Sequence, residues 1–369
     1  MSAPLVPGYG DSTLADLLPS LGAHLGVPGA ADRLGLPPAD RYLVVLVDGL
    51  GAEQLAAHAA EAPFISSLGG RTITAGVPST TATSLTSLGT GLPPGGHGIA
   101  GYSFWYPPEQ AVLNTLRWPS GLSGLDVQPQ LTYLERLGSA GVRTSTIAPA
   151  HFSGSGLTTA ALRGPAFLPV HDESDFDRRT ELAVQAATAG ERAFGYFYER
   201  QLDHAGHGHG VGSAQWCHQL RRADSLVARL REALPHDVRI VVTGDHGMVN
   251  VPGGNRLVVE DEPELLAGVT ALAGEGRLRQ LMTPQPDQVA DRWRSRLGER
   301  AWVRTRAEAV AEGWFGDVPA RLAPRFGDVL VAMADDGAVM TRTLPKELGL
   351  VGMHGSLTPA ELTVPLLSA

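Results

Sequence analysis

Asp48, Asp203, His207, Asp245, His246 and His354 give the sequence three carboxylates and three imidazoles in places where side chains can converge. Asp48 ends the apolar run Leu43-Val44-Val45-Leu46-Val47, Asp203 comes a few residues after Phe194-Gly195-Tyr196-Phe197-Tyr198, and Asp245-His246 follow Ile240-Val241-Val242-Thr243-Gly244. Asp203 and His207 are four apart, so a helical turn or a compact loop can aim both at one ion. Singly, each has a plainer reading. A strand-end Asp before Gly, as in Asp48-Gly49, is commonly a turn or cap residue, and Asp245-His246 is turn-like by default. The histidines at 204, 207 and 209 could form an adventitious surface metal site. His354, alone between Met353 and Gly355, reads as a structural histidine. As a set, the six suit zinc better than calcium or magnesium. Divided in two, they make a pair of three-ligand sites with open positions, and two ions about 4 Å apart can hold the attacking and leaving oxygens of an in-line phosphoryl displacement. His204 and His209 are expected in a loop, outside the ligand set.

A hydroxyl cluster, Ser79-Thr80-Thr81-Ala82-Thr83-Ser84, lies some thirty residues beyond Asp48 and leads into a helical pattern over 81–88. A hydroxyl at a helix start, facing a strand-end carboxylate, is a candidate nucleophile. Helix N-terminal amides and the helix dipole favour phosphate there. The plainer reading is an N-cap, for which Ser79, Thr80 and Thr83 are all suited.

Positioning these groups requires strands whose carboxyl ends meet in one crevice. Apolar, β-rich runs at 42–47, 143–148, 194–198, 239–243 and 362–367 alternate with helical patterns at 52–60, 81–88, 131–140, 179–187, 214–233 and 288–297. That alternation predicts an α/β fold: a mostly parallel central sheet with helices on both faces. Residues 1–40 read as an arm carrying a helix over 12–18 stopped by Pro19. Residues 251–346 differ, with short strands at 255–260, 301–304, 329–333 and 338–341, and Asp335-Asp336-Gly337 reads as a hairpin turn. The expected organisation is a core of residues 1–250 and 347–369 with a small inserted α+β cap lobe at 251–346.

With 369 residues the chain can bury a large core, and 45 glycines with 27 prolines indicate many turns. A net charge of −9 and no basic tract argue against a nucleic-acid polymer as partner. Bound divalent ions would reverse the local charge and attract phosphate. The single cysteine, Cys217, excludes an intrachain disulfide and reads as a small side chain in a helix. The N-terminus has no signal-peptide pattern, and no run approaches the ~20 apolar residues a membrane helix needs. The expectation is a cytoplasmic protein without membrane attachment.

The combination of Val47-Asp48-Gly49, Pro78-x-x-Thr81, Thr90-Gly91-Leu92-Pro93 through His97-Gly98-Ile99, Asp203-x-x-x-His207, Gly244-Asp245-His246-Gly247-Met248 and Gly352-x-His354-Gly355 resembles the alkaline phosphatase superfamily, in its type I nucleotide pyrophosphatase/phosphodiesterase branch. The resemblance runs from Tyr42 to about Asn250 and returns from Gly352 to Leu367. It implies an alkaline phosphatase-like fold and two Zn2+. Asp203, His207 and His354 would hold one ion; Asp48, Asp245 and His246 would hold the other, with Thr81 as its further ligand and as nucleophile. Metal coordination is one way to activate a threonine hydroxyl, which is barely ionised at neutral pH. Thr80 is the rival within the cluster. The implied activity is a phosphodiesterase or nucleotide pyrophosphatase working through a covalent phosphothreonine on a small-molecule phosphate ester or diester. Alternatives on the same site are a phosphomonoesterase or a phosphonate hydrolase; a mutase using serine and manganese, and a non-catalytic metal-stabilised binding protein, fit less well. Two positions depart from the family. Ala82 stands where an aromatic residue stacks on a nucleobase, and Tyr102 stands where an asparagine contacts phosphate. A tyrosine hydroxyl can donate the same hydrogen bond. Phe104, Trp105 and Tyr106 could replace the lost stacking or serve as core.

Overall fold

Strict alternation along Arg41–Val47 places Tyr42, Val44 and Leu46 in one apolar cluster and Leu43, Val45 and Val47 in another. A strand buried on both faces belongs at the centre of a parallel sheet. The computed structural model, which describes residues 3–369, puts it there. The seven-stranded sheet has the order Gly69–Thr74, Thr363–Ser368, Val238–Thr243, Arg41–Val47, Ala193–Glu199, Arg143–Pro149, Ala166–Val170. The last five are mutually parallel, and Thr363–Ser368 runs antiparallel to both of its neighbours. Register pairs Val47 with Glu199 and Leu46 with Thr243, so Asp48, Asp245 and the chain leading to Asp203 emerge side by side.

Helices Leu17–His24, Thr81–Thr90 and Tyr133–Ser139 fill one face through Leu21, Leu88 and Leu137. Phe176–Ala187 and Ala214–Ala233 fill the other through Leu182, Trp216 and Leu220; Cys217 packs at its edge. This is the α/β architecture expected, with three corrections in detail. Pro19 does not stop the first helix. A 3-10 turn, Leu14–Asp16, leads into Leu17–His24, and Pro19 sits in the helix's first turn, where an amide has no intrahelical acceptor to lose. The C-terminal strand is antiparallel. The edge strands Gly69–Thr74 and Ala166–Val170 were not expected, because Gly69-Gly70, Pro169 and high exposure remove the apolar signature.

Val249–Asn250 pairs antiparallel with Gly352–Met353. Between them the chain builds a four-stranded antiparallel sheet in the order Ala271–Glu275, Leu278–Met282, Val329–Met333, Ala301–Thr305. Leu281, Val303 and Val331 face the helix Pro286–Leu297 through Val289, Trp293 and Leu297. Leu278, Trp302, Leu330 and Ala332 face the main body and share one cluster with Val77, Ile99 and Phe104. Asp335-Asp336-Gly337 is not a hairpin turn: Ala338–Met340 pairs in parallel with Arg256–Val258, not with Val329–Met333. Asp335 instead accepts from the Gly337 amide and pairs with Arg300. The real hairpin turns at Gly276-Arg277.

Candidate metal centre and nucleophile

Three strand ends bring the predicted residues together. Asp48 follows Arg41–Val47, held by its amide bonding to the Glu199 carbonyl (2.8 Å). Asp245 and His246 lie just beyond Val238–Thr243 and are fully buried. Ala193–Glu199 turns directly into the helix Gln201–His209, which carries Asp203 and His207 on one face. His204 and His209 are therefore helical rather than in a loop, and both are exposed. His354 arrives from the far side of the inserted segment, next to Gly352–Met353.

Asp203 Oδ1, His207 Nε2 and His354 Nε2 form a triangle with sides of 3.4, 3.3 and 3.8 Å. His246 Nε2 lies 3.4 Å from Asp48 Oδ1 and 3.6 Å from Asp245 Oδ2. The two sets adjoin: the His246 and His354 rings stack at 3.6 Å, and ligand atoms of Asp203, His246 and His354 also fall within 4.8 Å of one another.

Whether these residues fit cations is decided by what their other atoms do. Each imidazole spends Nδ1 on a backbone carbonyl: His207 on Gly352 (2.8 Å), His246 on Gly247 (2.9 Å) and His354 on Ser79 (2.9 Å). That fixes the neutral tautomer whose Nε2 is a lone pair, the outer-shell arrangement typical of metal-ligating histidines. Asp245 Oδ1 accepts from the Gly49 and His246 amides, and Asp48 Oδ2 accepts from the Tyr198 phenol. Of the remaining oxygens, Asp48 Oδ1, Asp203 Oδ1 and Asp245 Oδ2 are buried with no donor among the described residues, which is costly unless a cation meets them. Burial, then the charges of Asp245 and Asp203, push the Asp48 carboxyl well above its usual range. Burial also raises Asp245, against the opposing pull of His246. His354 is driven far below an ordinary imidazole by burial and by His246 and His207. The donor set fits divalent cations.

Thr81 opens the helix Thr81–Thr90, and its Oγ1 is 3.2 Å from His246 Nε2. Thr80 takes the N-cap position, is buried, and its hydroxyl bonds the carboxylate of Glu275. Both threonines line a cavity of about 420 Å³ together with Asp48, Asp203, His207 and His354. Tyr102 and Ala82 line it as well. Phe104 and Tyr106 are core residues clustered with Val77 and Ile99, and Trp105 does not reach the cavity.

Sequence reading missed several contributors. Tyr198, at the end of its strand, was within reach of the same strand-end reasoning. Glu275 was not, because it enters from an unexpected strand. Ser103 Oγ anchors that strand by bonding both the amide (3.0 Å) and the carbonyl (3.2 Å) of Gly274, and this sets Glu275 beside Thr80. Burial pushes the Glu275 carboxyl up to about 7, against the Thr80 hydrogen bond. Leu116, the 3-10 turn residues His151 and Phe152, and the charged Arg200, Lys346 and Glu347 also line the wall without a motif.

The family model for type I phosphodiesterases and nucleotide pyrophosphatases matches residues 42–357. The chain belongs to this family. It is a hydrolase of phosphate esters of the alkaline phosphatase superfamily. Among solved structures it resembles murine ectonucleotide pyrophosphatase/phosphodiesterase 5, described as inactive with a threonine-to-alanine change and in complex with AMP (TM-score 0.70, 16% identity, 88% of this chain and 87% of that one). The human counterpart has a TM-score of 0.67 at 16% identity, with the same coverage. Phosphonoacetate hydrolase from Sinorhizobium meliloti 1021, in complex with phosphonoformate, has a TM-score of 0.66 at 19% identity, covering 90% of this chain and 89% of that one. At such identities the shared property is the fold. No curated protein matches the chain.

Proposed function

We propose that this family member is a two-zinc phosphodiesterase in which Thr81 is the nucleophile. One observation carries the reading: three imidazoles with Nδ1 spent on carbonyls and three unpaired carboxylate oxygens meet beside the hydroxyl of Thr81. Asp203, His207 and His354 would hold one ion, and Asp48, Asp245 and His246, with Thr81, the other. Bound there, zinc would supply Lewis acidity that lowers the pKa of a hydroxyl or a water and neutralises charge on phosphoryl oxygens.

The chain's own groups do the rest. Thr81 Oγ1 loses its proton to solvent and forms a bond to phosphorus while the bond to the leaving oxygen breaks; the departing alkoxide takes up a proton. Water then attacks the phosphothreonine, the P–Oγ1 bond breaks, and Thr81 regains its proton. The first amides of Thr81–Thr90 have no intrahelical acceptor and would be free to bond a phosphoryl group held at Thr81. Tyr102 offers a phenolic O–H from the same cavity. Thr80 is the weaker candidate because its hydroxyl is already bonded to Glu275.

Glu275 favours diesters. A monoester carries nearly two negative charges at neutral pH, whereas a diester carries one, and the Glu275 carboxylate, which ionises only above about pH 7, repels the former more once it is charged. The test is turnover by the zinc-loaded protein of bis(p-nitrophenyl) phosphate, p-nitrophenyl phosphate and phosphonoacetate. The diester is expected to lead by about tenfold or more in kcat/KM. A lead for the monoester or for phosphonoacetate would replace this reading with a phosphomonoesterase or a phosphonate hydrolase.

A further inference from the structure

Behind Thr81 the catalytic cavity continues into a second, more enclosed one of about 270 Å³. The two share Thr81, Thr115, Leu116, His151, Phe152 and Tyr198 as walls, so a molecule bound at the nucleophile can extend from one into the other. The inner cavity lies between helix Thr81–Thr90 and the sheet, and Leu85, Trp118, Ala148, Leu157, Leu162 and Phe167 make it largely apolar. No Asp, Glu, Lys or Arg lines it. A charged group, such as a second phosphate, would be desolvated there without a partner.

Two of its polar atoms are unspent. The hydroxyls of Thr146 and Tyr196 are buried, each residue only 2% exposed, and neither has a hydrogen-bond partner among the described residues. They are register neighbours on the adjacent parallel strands Arg143–Pro149 and Ala193–Glu199. The hydroxyls of Tyr198, Thr115 and Ser155 are occupied, by Asp48, the Tyr102 carbonyl and Thr158, and the exposed His151 lies where the two cavities join. A buried hydroxyl left unpaired costs roughly 1–3 kcal/mol. Two of them side by side just beneath the wall of a space open to the nucleophile are poor packing, and a small shift of that wall would bring them to a ligand oxygen.

We propose that the inner cavity holds one ester group of the substrate: uncharged, mostly apolar, and carrying an oxygen that accepts hydrogen bonds from Thr146 and Tyr196. An apolar cavity of about 150 Å³ accommodates benzene, so this one takes a ring with several further carbons or a short alkyl chain. This assignment rests on the phosphodiesterase reading and names its substrate class. The substrate is a phosphodiester of a compact, mostly apolar alcohol, aryl or alkyl, that carries a second oxygen besides the esterified one.

The test measures binding separately from turnover. Binding of p-cresol, toluene and 1-hexanol to the zinc-loaded full-length protein is followed by calorimetry, with inhibition of bis(p-nitrophenyl) phosphate hydrolysis in parallel. The alcohols should bind one per chain and compete with the substrate, and p-cresol should exceed toluene by about tenfold because only it has an acceptor. Stronger binding of p-cresol than of 1-hexanol assigns the group as aryl, and the reverse assigns it as alkyl. Leu157→Trp should weaken both alcohols by about tenfold or more by occupying the space. Thr146→Val, which keeps the side-chain shape, should remove most of the preference for p-cresol over toluene. Absence of bis(p-nitrophenyl) phosphate turnover in the wild type would sink the phosphodiesterase reading itself. Turnover with no competition by either alcohol, or competition unaffected by both variants, would overturn the cavity assignment alone.

Discussion

The phenol of Tyr198 donates a hydrogen bond to Oδ2 of Asp48 and leaves Oδ1 of that carboxylate with no hydrogen-bond partner among the described residues. One residue thereby selects which oxygen faces the proposed cation. Removing the phenol while keeping the ring, in Tyr198→Phe, should preserve the packing against Phe152 and Tyr196. Outer-shell partners of this kind are worth roughly 10–100-fold in metal affinity. A zinc competition titration should show a loss of that size, and unchanged affinity would rule out an orienting role for Tyr198.

Zinc should stabilise the fold more strongly as pH rises. In the metal-free protein the Asp48 and Asp245 carboxyls titrate above their unfolded values, chiefly through burial. Their contribution to metal-free stability is therefore complete below the unfolded carboxylate pKa and is lost as pH climbs through the raised folded values. Metal binding needs both groups deprotonated. The zinc-induced increase in melting temperature should be larger at about pH 8 than at about pH 5.5. A shift that is equal at both, or larger in acid, would contradict the ligand assignment.

The clustering of the candidate ligands was legible in the sequence because four of the six residues closely follow an apolar run, His207 lies one helical turn beyond Asp203, and strand ends in a parallel sheet share one edge. The inserted segment was less so. Leu278–Met282 is fully buried although it contains Arg279 and Gln280, and Arg277 just before it is buried as well. Arg277 pairs with Glu361 (2.7 Å), Arg279 with Glu347, and Gln280 bonds the Ala100 carbonyl. Buried but paired polar residues erase the apolar alternation by which a strand is recognised. Glu275, which enters the site from the hairpin partner of that strand, was lost with it.

His97 should make the fold acid-labile. Its Nδ1 accepts from the Ile99 amide (3.1 Å), so Nε2 carries the proton and donates to Ser87 Oγ (3.0 Å). Burial, aided by Arg325, pushes this imidazole down to about 3. A base depressed on folding gives its full stability above the unfolded value near 6.5 and loses it as pH falls toward 3, by up to about 5 kcal/mol. Urea unfolding across that range should show a one-proton slope in the wild type that is missing in His97→Gln. Parallel curves would contradict a neutral buried His97.

Glu275, which ionises above about pH 7, should set the choice between diester and monoester by its charge at about pH 8.5. Glu275→Gln keeps the shape and a partner for Thr80. It should raise monoester kcat/KM relative to diester kcat/KM by about tenfold. An unchanged ratio would leave Glu275 with no role in selecting charge.

The proposal that Thr81 is the nucleophile is tested most directly by trapping the intermediate. Zinc-loaded protein is mixed with a diester labelled at phosphorus, quenched in acid within a turnover and digested. The label should reside on Thr81, and Thr81→Ala should fold and bind zinc but yield neither labelled peptide nor turnover. Label on Thr80, or wild-type turnover by Thr81→Ala, would contradict it.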